Sequence, residues 1–345
     1  MEPVTHTPRI VVIGYGRWGR CCHCPLIAST PGLELHGVVS GDAEKRRRAA
    51  AAHGCATYEK PDEALRDEAV DAVVLATPNS THAELAARAL DHGKHVLTDK
   101  VMCLDVAECD RMIAASRRNN RLLTVFQNRR FDGDFLTVQA LLEAGELGDV
   151  RWLEMAWQGF GAWGNWRGRR DMGGGKLYDL GAHMFDQLLL LFPEAVESVY
   201  CRTHYDFPDC EVESEGLAVV TFAGGRTGVV DVSSLSLVPK PRFYVRGTGG
   251  TFVKYGLDPQ EKAMMAGDID TAAESPELYG TLKTPEAEER RVPTRAGRWR
   301  DFFDNLAAAL RGAGEPVVTL EQARRLMRLI ESVKRSARDG AVVRT

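Results

Sequence analysis

Short, continuously apolar runs alternate with longer stretches of helical periodicity through the first third of the chain. Residues 9–13, 34–39, 56–58, 71–76, 95–98 and 122–126 are β-branched or apolar and short enough to read as buried strands. Between them, helices are predicted over 17–28, over a segment ending near Asp91 just ahead of Gly93, and over 105–119. Six strands alternating with helices predict a doubly wound parallel sheet. After residue 126 the pattern changes. A helix over 135–144 ends at Gly145, and an apolar run over 177–192 predicts another. Period-two or β-branched patterning then marks strands over 151–157, 199–204, 215–222, 227–233, 243–246 and 251–255, with Gly224-Gly225 as a hairpin turn. Residues 257–296 carry no clear period and read as a lid, an oligomer arm or disorder. Helices over about 299–310 and 320–336 close the chain.

The pattern therefore predicts an α/β protein. Residues 1–126 form a Rossmann dinucleotide-binding domain, and residues 127–345 an α+β substrate-binding and dimerisation domain with a large, mostly antiparallel, open-faced sheet. A sheet covered by helices on one face must bury the other, so a homodimer or a dimer of dimers through that sheet is expected.

Composition narrows the partners. The net charge of -4 over 345 residues provides no electrostatic case for nucleic acid or an anionic membrane. No apolar run is long enough to span a bilayer. Residues 1–7 lack a secretory pattern, so a cytoplasmic location with reduced thiols is expected for the eight cysteines. Cys21, Cys22, His23 and Cys24 crowd together, but their spacing is unlike zinc pairs and adjacent helical positions diverge, so no metal is expected there.

Candidate chemistry begins at Gly14-Tyr15-Gly16-Arg17-Trp18-Gly19, a G-x-G-x-x-G fingerprint between a strand and a helix. Gly14 allows the tight turn, Gly16 lets the backbone approach a pyrophosphate, and Gly19 lets the helix pack on the strand. The second strand ends at Ser40, where an NAD enzyme has an acid, and Arg46, Arg47 and Arg48 follow. NADP is favoured on that ground, with NAD the rival if Asp42 serves the ribose instead of capping the next helix. Thr77-Pro78-Asn79 with His82, and separately Lys100, fall at carboxyl ends of strands, where ligands of open α/β sheets bind; Lys100 reads either as a donor to substrate or as a surface charge. Gly173-Gly174-Gly175 precedes a helix carrying Asp179 and His183 at i and i+4, one face of one helix. That pair suits proton transfer at a small polar substrate, or else is a first-turn acid with a packing histidine. The segment 159–172, with Trp163, Trp166, Arg167, Arg169 and Arg170, reads as a wall for a sugar or as a partner surface.

In their order and spacing, Gly14-x-Gly16-x-x-Gly19, Thr77-Pro78-Asn79-x-x-His82, Asp99-Lys100-Val101, Asn128-Arg129-Arg130 and residues 173–183 resemble the glucose–fructose oxidoreductase / inositol dehydrogenase / rhizopine catabolism (Gfo/Idh/MocA) family. Residues 125–134, 177–187 and 254–261 look most like its NADP-dependent scyllo-inositol dehydrogenase branch. The resemblance implies reversible hydride transfer between nicotinamide and a carbon of a sugar or cyclitol. It implies catalytic roles for Lys100, Asp179 and His183, with His183 taking the hydroxyl proton and Lys100 bonding the oxygen. It implies cofactor contacts at Gly14, Gly16, Arg17, Trp18, Gly19, Ser40, Thr77, Pro78, Asn79, His82 and Lys100. Substrate contacts are implied at Asn128, Arg129 and Trp166 besides the catalytic three. Relatives that are NAD-dependent glycoside hydrolases or non-catalytic regulators are the alternatives. Where the family reads Glu-Lys-Pro, this chain reads Asp99-Lys100-Val101. A cis bond before valine costs about 3 kcal/mol, so a trans bond is expected there.

Overall fold

The structure, a computed structural model, describes residues 3–345. It divides into two compact units: the chain up to Gln127 with Met264–Asp268 and Trp299–Met327, and the remainder.

In the first unit, β1 (Arg9–Ile13), β2 (Glu34–Val39), β3 (Ala56–Tyr58), β4 (Ala72–Leu75), β5 (His95–Thr98) and β6 (Leu123–Val125) form a parallel sheet in the order β3-β2-β1-β4-β5-β6. The order reverses at β1, which places the switch point of a doubly wound fold beside the glycine fingerprint. Ile10, Val11, Val12, Val73, Val74 and Leu97 are buried because both faces of this sheet are covered. Helices α1 (Cys24–Ser29), α2 (Ala43–His53), α3 (Pro61–Arg66), α4 (His82–Asp91) and α5 (Val106–Asn119) connect the strands. The helix leading into α1 widens to an i→i+5 turn over Gly19–His23, closed by Cys24 N–H to the Gly19 carbonyl.

The second unit holds α6 (Gly133–Glu143), β7 (Val150–Gln158), α7 (Ala182–Leu191), β8 (Val196–His204), β9 (Glu215–Phe222), β10 (Thr227–Ser233), β11 (Phe243–Gly247) and β12 (Thr251–Lys254). With β13 (Gly280–Lys283), β14 (Arg290–Val292) and β15 (Val343–Arg344), the nine-stranded sheet runs β14-β13-β12-β11-β7-β10-β9-β8-β15; β7 and β10 pair in parallel and every other neighbouring pair is antiparallel. Gly224 and Gly225, at φ 83° and 80°, make the β9–β10 hairpin turn. α7 lies on the face that carries Gly216 and Gly228: a Cβ on Gly228 would stand 2.4 Å from Leu188. The opposite face presents the cross-strand row Tyr200, Val219, Val229, Glu154, Tyr244 and Val253.

Three expectations are corrected. Residues 257–296 are not featureless: they contain α8 (Gln260–Ala266), β13 (Gly280–Lys283) and β14 (Arg290–Val292). Two of the three β14 residues are exposed arginines, so a short charged edge strand had no buried period to reveal it. The same holds for β15 (Val343–Arg344), which pairs with β8. Second, the sequence assigned everything after residue 126 to the second domain, yet α9 (Trp299–Leu310) belongs to the first unit. Its apolar stripe packs there: Phe302 and Phe303 lie edge-on or tilted against Phe126 at 4.9 and 5.4 Å, and Trp299 against Trp18 at 6.2 Å. Periodicity shows that a helix face is apolar and is silent about what it meets. Third, the Lys100–Val101 peptide bond is cis, not trans. Beside it, the Val101 side chain is fully buried, and the Val101 carbonyl lies 2.8 Å from His82 Nδ1. The final helix, α10 (Leu320–Asp339), runs three residues beyond its expected end.

All eight cysteines are free thiols. Among the described residues no group of three or more His, Cys, Asp or Glu side chains could hold a metal ion, and no helix is long and apolar enough to cross a membrane.

Candidate active site

The first unit carries a dinucleotide cradle. Gly14 adopts φ 108°, and a Cβ there would stand 2.4 Å from the Ala76 carbonyl oxygen, so both backbone and space require glycine. A Cβ on Gly19 would meet the Gly14 carbonyl oxygen at 2.0 Å, which is why the helix can pack so closely on β1. At Gly16 a Cβ would meet nothing within 4 Å. The open side of the turn is therefore at Gly16, and the helix N-terminus following it offers N–H groups to an anion. These residues fit a dinucleotide pyrophosphate. Arg17 is exposed, and Trp18 is half-buried against Trp299.

The ribose end resolves the reading of Asp42. Its carboxylate caps α2, accepting from the N–H groups of Glu44 at 2.9 Å and Lys45 at 3.2 Å. Those backbone bonds, the first from Lys45, hold the carboxyl below its ordinary range. Arg46 donates to the Ser40 carbonyl at 2.6 Å, whereas Arg47 and Arg48 pair with Glu44 on the exposed helix surface. Of the basic run, Arg46 is thus the residue placed at Ser40.

Lys100 stands half-buried at the carboxyl end of β5, and its turn is gripped from both sides. Asp99 Oδ1 accepts from the Lys100 N–H at 2.8 Å, and Asp99 Oδ2 lies 3.4 Å from Nε2 of the buried His23. Burial acts to raise the Asp99 carboxyl, but His23 and Lys100 beside it outweigh this and lower it. His82 is fully buried, with Nδ1 2.8 Å from the Val101 carbonyl and Nε2 3.1 Å from that of Thr77. Burial lowers its pKa, opposed first by the Val101 carbonyl. The His82 ring, implied as a cofactor contact, lies between the Thr77 carbonyl and the Val101 carbonyl of the Lys100 turn. Within that loop Thr77 and Thr81 hydroxyls bond at 2.6 Å, and Asn79 is buried.

The second unit carries Asp179 and His183. Gly173 and Gly175 take φ 71° and 119°, and a Cβ on Gly174 would lie 2.3 Å from the Arg167 carbonyl oxygen. The glycine run thereby brings the 159–172 segment against the start of the helix. That helix widens to an i→i+5 turn over Leu177–Gly181 before α7. Across such a turn four residues fall just short of one revolution instead of just beyond it, so Asp179 and His183 still share a face. Asp179 accepts from Arg167 Nε at 3.1 Å, and the Arg167 guanidinium lies 4.6 Å over the Trp166 ring. Trp166 therefore reaches the site through Arg167.

His183 is 3% exposed and stacks on Trp157, with centroids 6.1 Å apart and planes 25° apart. Guanidinium groups of Arg129 and Arg242 approach the same indole at 4.7 and 5.4 Å. α7 is held by a buried polar network. Arg130 makes a two-point pair with Asp186 at 2.8 and 2.7 Å, and Gln187 donates to the Arg129 carbonyl and accepts from Arg242, both at 2.8 Å. Arg129 pairs with Asp132 and Glu261. The sequence implied a substrate contact at this residue, which is 3% exposed. Asn128 is buried, and its amide nitrogen has no hydrogen-bond partner among the described residues, which leaves a donor available.

Sequence reasoning missed His23 in the first unit, and Trp157 and Lys176 in the second. Period-two alternation along β7 puts Trp157 on the same face as Leu153 and Met155, the helix-covered face, and was the available signal. His23 was read only as part of a thiol cluster.

The comparisons with known proteins agree with this layout. Residues 8–127 match the model of an oxidoreductase family with an NAD-binding Rossmann fold, and residues 135–253 match the GFO/IDH/MocA C-terminal domain. An uncharacterised Escherichia coli oxidoreductase, YdgJ, is 33% identical over 97% of this chain and 98% of its own. The scyllo-inositol 2-dehydrogenase (NADP(+)) IolW of Bacillus subtilis is 28% identical over 98% of this chain and 96% of its own. Among solved structures, the putative oxidoreductase yvaA from Bacillus subtilis superposes with a TM-score of 0.92 at 25% identity, covering 100% of both chains. On fold, site residues and these matches together, the chain belongs to the Gfo/Idh/MocA family of oxidoreductases.

Proposed function

We propose that this protein catalyses reversible, NADP-dependent hydride transfer at a hydroxyl-bearing carbon of a sugar or cyclitol. The observation that carries the reading is that the chain holds Lys100 in its first unit and Asp179 and His183 in its second, each on an element that fixes it. A bound nicotinamide supplies the hydride acceptor or donor. His183 takes the hydroxyl proton in oxidation and returns it in reduction. Lys100 donates to the reacting oxygen and stabilises its developing negative charge. Asp179, oriented by Arg167, accepts from a substrate hydroxyl. Trp157 and the Arg130–Asp186 pair keep the imidazole in place, and His23 and His82 keep the lysine turn in place. The scyllo-inositol dehydrogenase relative supports a polyol substrate and NADP.

The test is a fluorescence titration with NADPH and NADH, followed by turnover of a polyol and sugar panel at 340 nm. Cofactor binding with no turnover on any member rejects the dehydrogenase reading, and bond cleavage of a glycoside without net NADPH change replaces it with the hydrolase.

Ser40 with Arg46 beside it supports NADP through contact with the 2′-phosphate. Ser40→Asp is expected to shift the kcat/KM preference toward NAD by charge repulsion. An unaltered NADP/NAD ratio would show that this corner does not read the phosphate.

The open sheet face serves as the contact with a second copy. Tyr200 and Leu217 are 38% and 41% exposed on it, unusual for strand residues with apolar neighbours. Sedimentation equilibrium is expected to return twice the 38.0 kDa chain mass or a higher even multiple. Tyr200→Glu with Leu217→Lys is expected to dissociate the assembly, and a monomeric parent protein contradicts the assignment.

A further inference from the structure

Every other buried cation whose pairing defines the second unit has a carboxylate near it. Arg129 pairs with Asp132 at 3.3 Å, Arg130 with Asp186 at 2.7 Å, Arg242 with Asp134 at 3.6 Å and Lys254 with Glu274 at 2.8 Å. Lys176 does not. It follows the glycine run directly, is 4% exposed, and lies one turn before Asp179. Its ammonium sits 4.0 Å over the Trp163 ring, and among the described residues it makes neither a side-chain hydrogen bond nor an ion pair. The nearby carboxylates are engaged elsewhere: Asp179 with Arg167 Nε at 3.1 Å, and Glu213 with the Leu177 N–H at 2.8 Å. Burial pulls the ammonium down to about 8, only partly opposed by Asp179 and Glu213.

A desolvated ammonium held by an indole face alone is costly and lacks its hydrogen-bond acceptors. An anion arriving from solvent meets both needs with charge-assisted bonds. We propose that Lys176 anchors a carboxylate or phosphate of the substrate, so that the preferred substrate is an acidic sugar or polyol and not a neutral one. This rests on the hydride-transfer reading for what happens next, but not for the binding itself. Trp163 supplies the apolar wall that aligns the ammonium, Asp179 one turn on takes a hydroxyl of the same molecule, and Arg167 neutralises Asp179 so that the acid is not repelled.

The experiment compares glucuronate, gluconate and glucose 6-phosphate with glucose and myo-inositol, on the wild type, Lys176→Met and Lys176→Arg. Two readouts are taken: kcat and KM at 340 nm, and titration calorimetry with and without NADPH, which reports binding whether or not hydride moves. At least one acid is expected to bind tenfold or more tightly than its neutral counterpart. In Lys176→Met that advantage falls by about tenfold to a hundredfold, mainly in KM, the range for a hydrogen bond to a charged group. Lys176→Arg restores most of it. Methionine keeps the contact with Trp163, and a thermal midpoint close to the wild type's shows that the fold is intact. The carboxylate and phosphate arms tell which anion is taken. Neutral compounds binding as well as every acid, or an acid preference that survives Lys176→Met, overturns the proposal. Acid binding that depends on Lys176 without turnover upholds the anchor while rejecting the hydride-transfer reading.

Discussion

Replacing His183 by alanine is expected to lower kcat by about a hundredfold to ten-thousandfold, the range for losing a positioned general base. NADPH affinity should stay within a few-fold, because the dinucleotide cradle at Gly14, Gly16 and Gly19 belongs to the other unit. The imidazole is buried and stacked on Trp157, so alanine also leaves a cavity. His183→Gln fills most of that space and lacks the base, and it should lose turnover to a similar degree with a smaller fall in thermal stability. Stopped-flow measurement of single-turnover NADPH formation reads the chemical step directly. Wild-type turnover in either variant would remove His183 from the mechanism and return it to the role of a packing residue. A loss of NADPH binding equal to the loss in rate would mean that the substitution had disturbed the fold.

Lys100→Met is expected to lower kcat by about a hundredfold or more, the cost of removing one donor aimed at a developing oxyanion. Methionine preserves the aliphatic stem, and the backbone contact between Lys100 N–H and Asp99 does not depend on the side chain. The fall should therefore appear in kcat more than in the thermal midpoint. An unchanged rate would show that the ammonium is a surface charge and that Val101, in place of the usual proline, has taken the lysine out of play. The two variants together separate proton transfer from oxyanion stabilisation. If both groups act on one transition state, the double variant loses less than the product of the single losses.

The candidate residues of the two units differ in how legible they were. The glycine fingerprint could be assigned residue by residue because its requirements are local: φ at Gly14, clearance at Gly19, openness at Gly16. The Asp179–His183 pair was equally readable, since both lie on one short stretch of helix. The surroundings of His82 were not legible, because they are set by two carbonyls, one of them nineteen positions away on the Lys100 turn. The partners of Arg129 were likewise not legible, since its pairing with Glu261 is 132 positions distant. The cis bond at Lys100–Val101 was not legible, because valine, unlike proline, does not mark one.

Sequence by itself determined the parallel sheet, the cofactor turn, the helix carrying Asp179 and His183, and the hairpin at Gly224-Gly225. Each depends on hydrophobic period or backbone freedom over a dozen residues or fewer, and such preferences are written locally. Only the tertiary structure decided where α9 packs, that 257–296 supplies edge strands, which cation of the basic run stands at Ser40, that Trp157 backs His183, and that Lys176 is buried without a counter-ion. These depend on which side chains the folded chain brings together and which it leaves without a partner, and burial, the quantity that makes an unpaired charge costly, exists only once the chain has closed around it.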